Sequence, residues 1–346
     1  RPFREVGADP LTPLPAGSPC CVPRFDGNPE RLRVDTDGLA GAVPLDVASG
    51  TMLWDLVGPL DYAYRTYTLL PENVPVATGS PAARAVPAPS ADELTVGSLN
   101  LERFFDAEAD GEGTTLTPAA FAARLAKASL AIRALFRSPD VLAVVEVEDL
   151  ATLRALAARI SADALAAGAP DPAYQSFLEE GNDPGGIDVG FLVASRVSVL
   201  SVVQEGKGAT FVDPTTGSAA TLNDRPPLVL TARCAAPDGA DVVFTVVANH
   251  LRSLNDSDLD STTGRRVRAK RQAQAEFLAA LLARLQAGAA GAPLLAVGDF
   301  NAFEVSDGLV DVIGTARGAP APADQVVVGR SVDLVEPDLV DLCAVD

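Results

Sequence analysis

From about residue 94 onward, short apolar runs alternate with longer Ala-rich stretches whose apolar positions recur at helical spacing. The runs at 94–99, 141–147, 187–193, 197–203, 228–234, 242–248 and 294–297 predict strands. The stretches 118–136, 150–167 and 263–286 predict helices. The strands at 187–193 and 197–203 lie close enough in sequence to suggest a hairpin. Strands paired locally and separated by helices predict an α/β domain, with a mixed sheet or two sheets covered by helices. No internal repeat is visible.

Residues 1–93 have a different texture. They are rich in Pro and Gly, with short strand-like runs such as the one at 63–69. A Pro/Ala/Ser stretch at 80–92 reads as a linker. The expected organisation is a β-rich region at 1–79, a linker at 80–93 and a main domain at 94–346.

Composition narrows the function. The chain is 48% hydrophobic and 21% charged, enough apolar content for a sizeable core. No run is long and uncharged enough to span a membrane. The sequence starts at Arg1, so any leader peptide would already be gone. A net charge of −19 argues against an unspecific nucleic-acid coat. Yet residues 251–290 carry seven basic and four acidic side chains, a local excess that could meet a polyanion. Cys20 and Cys21 are adjacent and would be strained as a pair, so the four cysteines permit disulfides without specifying them. The single histidine excludes a multi-His metal site within one chain.

The candidate chemistry sits where apolar runs end. Gly298-Asp299-Phe300-Asn301-Ala302 follows the run at 293–297 and offers a carboxylate and an amide two positions apart, on one side of an extended chain. Gly, Asp and Asn are also common at turns for backbone reasons alone. Asn100 follows a second run, Glu146 falls within a third and Asn249-His250 closes a fourth. Polar residues at the ends of buried strands are costly unless paired or used, so four such endings point to one shared site. Glu146 and Asp299 could hold a hard divalent ion, which takes one or two carboxylates plus water and phosphate oxygens. Glu148 competes with Glu146, because spacing puts both on one side. His250 could serve a leaving oxygen or a phosphate, and the asparagines could fix phosphate oxygens. Arg252, two residues beyond His250, is a further phosphate candidate. Arg265, Arg266, Arg268, Lys270 and Arg271 open a helix and suggest nucleic-acid contact, although such runs are usually solvated faces.

The ordered segments VGSLNLERFF, LAVVEVEDL, GGIDVGFLV, VVANHLRS and VGDFNAFE resemble the successive motifs of the endonuclease/exonuclease/phosphatase superfamily, in its bacterial secreted nuclease-like branch. The resemblance covers roughly residues 94–346. It implies a DNase I-like α/β sandwich of two sheets flanked by helices, and hydrolysis of phosphoester bonds with Mg2+, Mn2+ or Ca2+. Carried over residue by residue, Asn100 helps hold the site and the phosphate, and Glu146 binds the metal, with Val145 where a glutamine is usual. His250 acts on the phosphate or leaving group. Asp299 and Asn301 stand near the attacking water, Asp299 also reaching the metal. Asp188 lies in a motif that often carries a phosphate-facing polar residue; Asn249 and Arg252 are phosphate candidates from their strand-end positions alone.

One departure matters. The family closes on an Asp-His pair on a late strand, and no histidine follows His250 here. The resemblance therefore implies a chain that stops before that motif and its last strands, weakly active or inactive as it stands; a degenerate domain is the alternative. The segment GPLDYAYRTYTLLPE resembles the tail of an OB-like module, in which Tyr62, Tyr64, Arg65 and Tyr67 would suit a single strand. A packed β-ribbon is the competing reading. The expectation is a secreted or cell-surface bacterial nuclease acting on DNA or RNA, with no protein partner inferred. The alternatives are a phosphatase for small or lipid phosphoesters and a non-catalytic binding module.

Overall fold

A computed structural model of the chain describes residues 14–22, 32–39, 45, 47–63, 66–79, 82–90, 92–109, 113–235, 241–288 and 291–342. The chain divides into two compact units, one of Arg1–Ala16 with Pro23–Arg84 and one of Gly17–Val22 with Ala85–Asp346.

In the first unit, β1 (Leu32–Val34), β2 (Met52–Trp54), β3 (Leu60–Ala63), β4 (Thr66–Leu69) and β5 (Val76–Thr78) are all short. They form a three-stranded sheet, β1-β4-β3, and a two-stranded sheet, β2-β5. Among the described residues there is thus no closed OB-type barrel. Within the strand-like run at 63–69, Ala63 closes β3 and Thr66–Leu69 form β4, and the two strands pair antiparallel with Tyr62 opposite Tyr67. Tyr64 and Arg65 lie outside the described residues.

The second unit is built from β6 (Val96–Phe104), α1 (Pro118–Ala134), β7 (Val141–Val147), α2 (Leu150–Ala166), β8 (Gln175–Leu178), β9 (Asp188–Val193), β10 (Ser198–Gln204), β11 (Thr210–Val212), β12 (Ala219–Thr221), β13 (Leu228–Ala235), β14 (Asp241–His250), α3 (Thr262–Gly288), β15 (Leu294–Asp299) and α4 (Val312–Arg317). Two four-stranded sheets carry it, ordered β6-β7-β9-β8 and β10-β13-β14-β15. β7 and β9 read as continuously apolar because both of their faces are covered, whereas edge strand β10 exposes alternate residues. Val141, Ala143 and Val145 of β7 pack with Phe244, Val246 and Ala248 of β14 in a core between the sheets. Leu142 and Val144, pointing the other way, pack under α1 and α2 with Ile132, Leu153 and Leu156. Val247 of β14 packs outward under α3 with Ala275, Leu278 and Leu282. This is the helix-flanked two-sheet sandwich that the resemblance implies.

Local sequence explains the helices. Thr117 caps α1 by accepting from Ala120 N, with Pro118 at the first helical position. Asp149 caps α2 by accepting from Thr152 N. α1 joins the parallel pair β6-β7, and α3 joins the parallel pair β14-β15.

The hairpin expected between the strands at 187–193 and 197–203 does not form. Both edges of β9 are occupied, by β7 and β8. The chain instead turns at Ala194–Val197, where Val197 N donates to Ala194 O, and β10 joins β13 in the second sheet.

Candidate active site

Four side chains from four strands meet at the seam between the sheets. Alternation along β6, β14 and β15 sends Asn100, His250 and Asp299 to the inter-sheet side, following Val96, Ala248 and Val297 of the core between the sheets. Strict alternation would send Glu146 with Leu142 and Val144 under the helices. The chain breaks it there: Glu146 has φ 63°, and the β7-β9 register shifts between Val145 and Val147. This bulge puts Val147 in the helix-covered core and leaves Glu146 at the seam. Asn100 Nδ2 donates to Glu146 Oε1 at 2.9 Å and to Asp299 Oδ2 at 3.1 Å. His250 Nε2 lies 3.8 Å from Glu146 Oε1.

Gly298 makes the approach possible. It has φ 121°, and a Cβ there would lie 2.0 Å from Asn249 O. Bare backbone lets β15 run close beside β14, with Asn249 opposite Gly298 and His250 opposite Asp299. Past β15, Asn301 turns into the left-handed region at φ 48°. Its amide N–H donates to Asp299 Oδ1, and its Nδ2 donates to Leu251 O. Asn301 therefore fixes the Asp299 carboxylate and ties together the segments leaving β14 and β15.

The electrostatics are uneven. His250 is buried; burial first, then the Arg225 guanidinium, push its imidazole down to about 4, against the pull of Asp299 and Glu146. Its Nδ1 is buried with no hydrogen-bond partner among the described residues. Among those residues no group of three or more His, Cys, Asp and Glu side chains gathers closely enough to enclose a metal. The two carboxylates sharing the Asn100 amide nevertheless suit a hard ion such as Mg2+, which keeps most of its waters.

No family model matches the sequence, and no curated protein sequence matches it. Among solved structures, the chain is similar to TDP2 from Caenorhabditis elegans, at 20% identity over 62% of this chain and 51% of that one, with a TM-score of 0.37. It is also similar to an endonuclease/exonuclease/phosphatase from Beutenbergia cavernae (20% identity, 62% of this chain and 48% of that chain, TM-score 0.36). A beta toxin from Staphylococcus aureus, a β-hairpin deletion mutant, matches at 14% identity over 62% of this chain and 69% of that chain, with a TM-score of 0.40. The chain spans about half the length of the TDP2 structure.

The other expected site residues are placed differently. Asn249 is fully buried on the opposite face of β14 from His250 and donates to Val297 O at 2.7 Å, away from the meeting point of the four side chains. Asp188 is buried and accepts from Gly181 N. Burial and its hydrogen bond to Glu180 push its carboxyl up to about 8. Glu148 is buried and accepts from Asp106 N at 2.6 Å, so the bulge separates the two glutamates that spacing left equivalent. The Arg252 side chain makes no hydrogen bond or ion pair among the described residues; its backbone N donates to Gln274 and its carbonyl accepts from Arg271.

The basic run of α3 is largely not a solvated, phosphate-facing strip. Arg268, Lys270 and Arg271 are buried. Arg268 donates to Ser257 O and Leu259 O, and Lys270 pairs with Asp224. Arg271 donates to Arg252 O and Asn301 O and lies 3.6 Å from Asp307. Arg266 pairs with Asp213, while Arg265 is exposed. The reason is the packing of α3: it lies against segments whose carbonyls take Arg268 and Arg271 and whose carboxylates take Arg266 and Lys270.

Sequence reasoning missed Arg225 and Asp183. Arg225 donates to His250 O and Leu251 O and pairs with Asp183, holding the end of β14 from the β12–β13 loop. A lone arginine before Pro226-Pro227 carries no periodic signal.

Proposed function

We propose that this protein is a divalent-metal-dependent phosphodiester hydrolase of the endonuclease/exonuclease/phosphatase superfamily, acting on DNA or RNA. The observation that carries the reading is the meeting of Asn100, Glu146, His250 and Asp299 at one seam, with Asn100 Nδ2 bridging both carboxylates. A bound Mg2+ or Mn2+ would supply Lewis-acid stabilisation of charge on the phosphate. Glu146 and Asp299 would hold it. Asn100 keeps their oxygens at one separation, and Asn301 fixes the second oxygen of Asp299. His250, held rigidly by burial, offers a ring nitrogen to a phosphate oxygen, and Arg252 offers a cation beside it. Export to the cell exterior belongs to the same reading, and detection in the culture medium of the producing bacterium would test it.

The direct test is hydrolysis of bis(4-nitrophenyl) phosphate and nicking of a plasmid with Mg2+ or Mn2+. EDTA should silence both, and Asp299→Ala should abolish both while the circular dichroism spectrum stays unchanged. Turnover that survives EDTA or Asp299→Ala would reject the reading. Release of phosphate from monoesters alone would make the protein a phosphatase instead.

A further inference from the structure

With Arg266, Arg268, Lys270 and Arg271 of the α3 strip committed to internal carbonyls and ion pairs, the molecule offers another place for a polyanion. A cleft of about 670 Å³ opens directly beside Asn100, between the end of β6 and α1. Its apolar floor includes Leu101, Phe105 and Leu116, and Ala128 on α1 is small enough to leave room. Arg103 and Lys127 also line it. Both are exposed, and among the described residues neither side chain makes a hydrogen bond or an ion pair; the Arg103 guanidinium lies 5.6 Å from the Phe105 ring centroid. Two free cations on one rim stand out in a chain of net charge −19.

The wall toward Asn100 is held under backbone strain. Glu102 and Arg103 both sit in the left-handed region, at φ 55° and 54°. The turn is fixed from both sides. Glu102 N donates to Asn100 Oδ1 and Arg103 N to Glu146 Oε2. From α1, Arg124 donates to Leu101 O and Glu102 O. One device thus sets both the Asn100–Glu146 pair and the position of Arg103 at the cleft.

We propose that this cleft holds the nucleotide next to the scissile phosphate of a single-stranded nucleic acid, which rests on the phosphodiesterase reading above. The base lies on the apolar floor and the neighbouring phosphate meets Arg103 and Lys127. An acyl chain would also suit the floor. However, cations beside a centre that already takes the reacting phosphate call for a second anion, which a polynucleotide repeats at every residue and a single-phosphate lipid lacks. A base reaches the floor only when unstacked, which favours a single strand over a duplex.

The test is fluorescence anisotropy of a labelled short oligodeoxythymidine with the full chain in EDTA, so that binding is read without turnover. Lys127→Glu should weaken binding about tenfold, and Lys127→Ala should reduce the slope of log affinity against log salt by about 0.7. Arg154→Glu, on the exposed side of α2, should change neither. Absence of oligonucleotide binding, an equal loss in Arg154→Glu, or binding of anionic phospholipid vesicles in place of the oligonucleotide would overturn the proposal. Hydrolysis of bis(4-nitrophenyl) phosphate without oligonucleotide binding would keep the enzyme and remove the cleft's role. Lys127-dependent binding in a chain that hydrolyses nothing would support the cleft and refute the phosphodiesterase reading.

Discussion

Replacing Arg271 by Met keeps most of the side-chain volume and removes its charge and donors. Three groups lose a partner: Arg252 O, Asn301 O and the buried Asp307 carboxylate. Breaking a buried pair from one side costs about 3–5 kcal/mol. The lower end applies here, because Asp307 keeps its hydrogen bonds from Leu309 N and Val310 N. Burial already pushes that carboxyl up, so it can escape part of the penalty by taking a proton. A loss of about 3 kcal/mol is expected, or roughly 6–12 °C in Tm for a domain of this size. The proton escape sets a sign. A carboxyl whose folded pKa is raised destabilises progressively as pH rises above its unfolded value. Losing the guanidinium raises it further, so the deficit of Arg271→Met should be larger at pH 8 than at pH 5. Adding Asp307→Asn should recover more than about 1 kcal/mol at pH 8. Urea unfolding of wild type, both single variants and the double variant at the two pH values measures all of this. A loss below about 1 kcal/mol, or a deficit independent of pH, would refute the buried-clamp account of Arg271.

Asp188→Asn should flatten the stability profile: wild type, with this carboxyl pushed up to about 8, loses stability from pH 5 to pH 8, and the variant should lose at least about 1 kcal/mol less over that window. Parallel unfolding curves would contradict the neutral, buried carboxyl. Gly298→Ala should cost more than about 2 kcal/mol and depress turnover together with stability, since its Cβ would strike Asn249 O and its φ is disfavoured for alanine; a thermal melt within a degree or two of wild type would argue against the close approach of β14 and β15. Asp140 immediately precedes β7, where, against burial, Arg196 and then Thr95 N and Thr95 Oγ1 hold its carboxyl low. Asp140→Ala should therefore cost about 2 kcal/mol at pH 7. The penalty should shrink as pH falls through the lowered folded value, which an acid-titrated melt series would reveal or exclude.

The run 141–147 was legible because burial on both faces writes a nearly unbroken apolar word, and the same holds for 294–297. Asn100, His250 and Asp299 were legible as a set because each continues the inter-sheet parity of its strand. Glu146 could not be separated from Glu148 by counting, because a left-handed bulge resets the alternation between them. The hairpin was misjudged because proximity in sequence says nothing about which strand edges are already occupied. Arg268, Lys270 and Arg271 were misjudged by residue type: Arg268 and Arg271 donate to loop carbonyls and Lys270 pairs with the Asp224 carboxylate, partners that no local pattern displays. β8, β11 and β12 are short, and α4 opens on Asp311, which accepts from Gly314 N, a signal too brief to stand out among neighbouring turn residues.

The seam divides the chain as well as the space. Asn100 and Glu146 both precede the turn at Ala194–Val197, and His250 and Asp299 both follow it. Each half carries one of the four-stranded sheets and two of the helices α1–α4, and neither half owns all four of these side chains. Cutting the gene at that turn would yield two fragments, each silent alone. Phosphodiester cleavage on mixing them would then serve as a complementation assay, reporting the docking of one sheet on the other through Val141, Ala143, Phe244 and Val246.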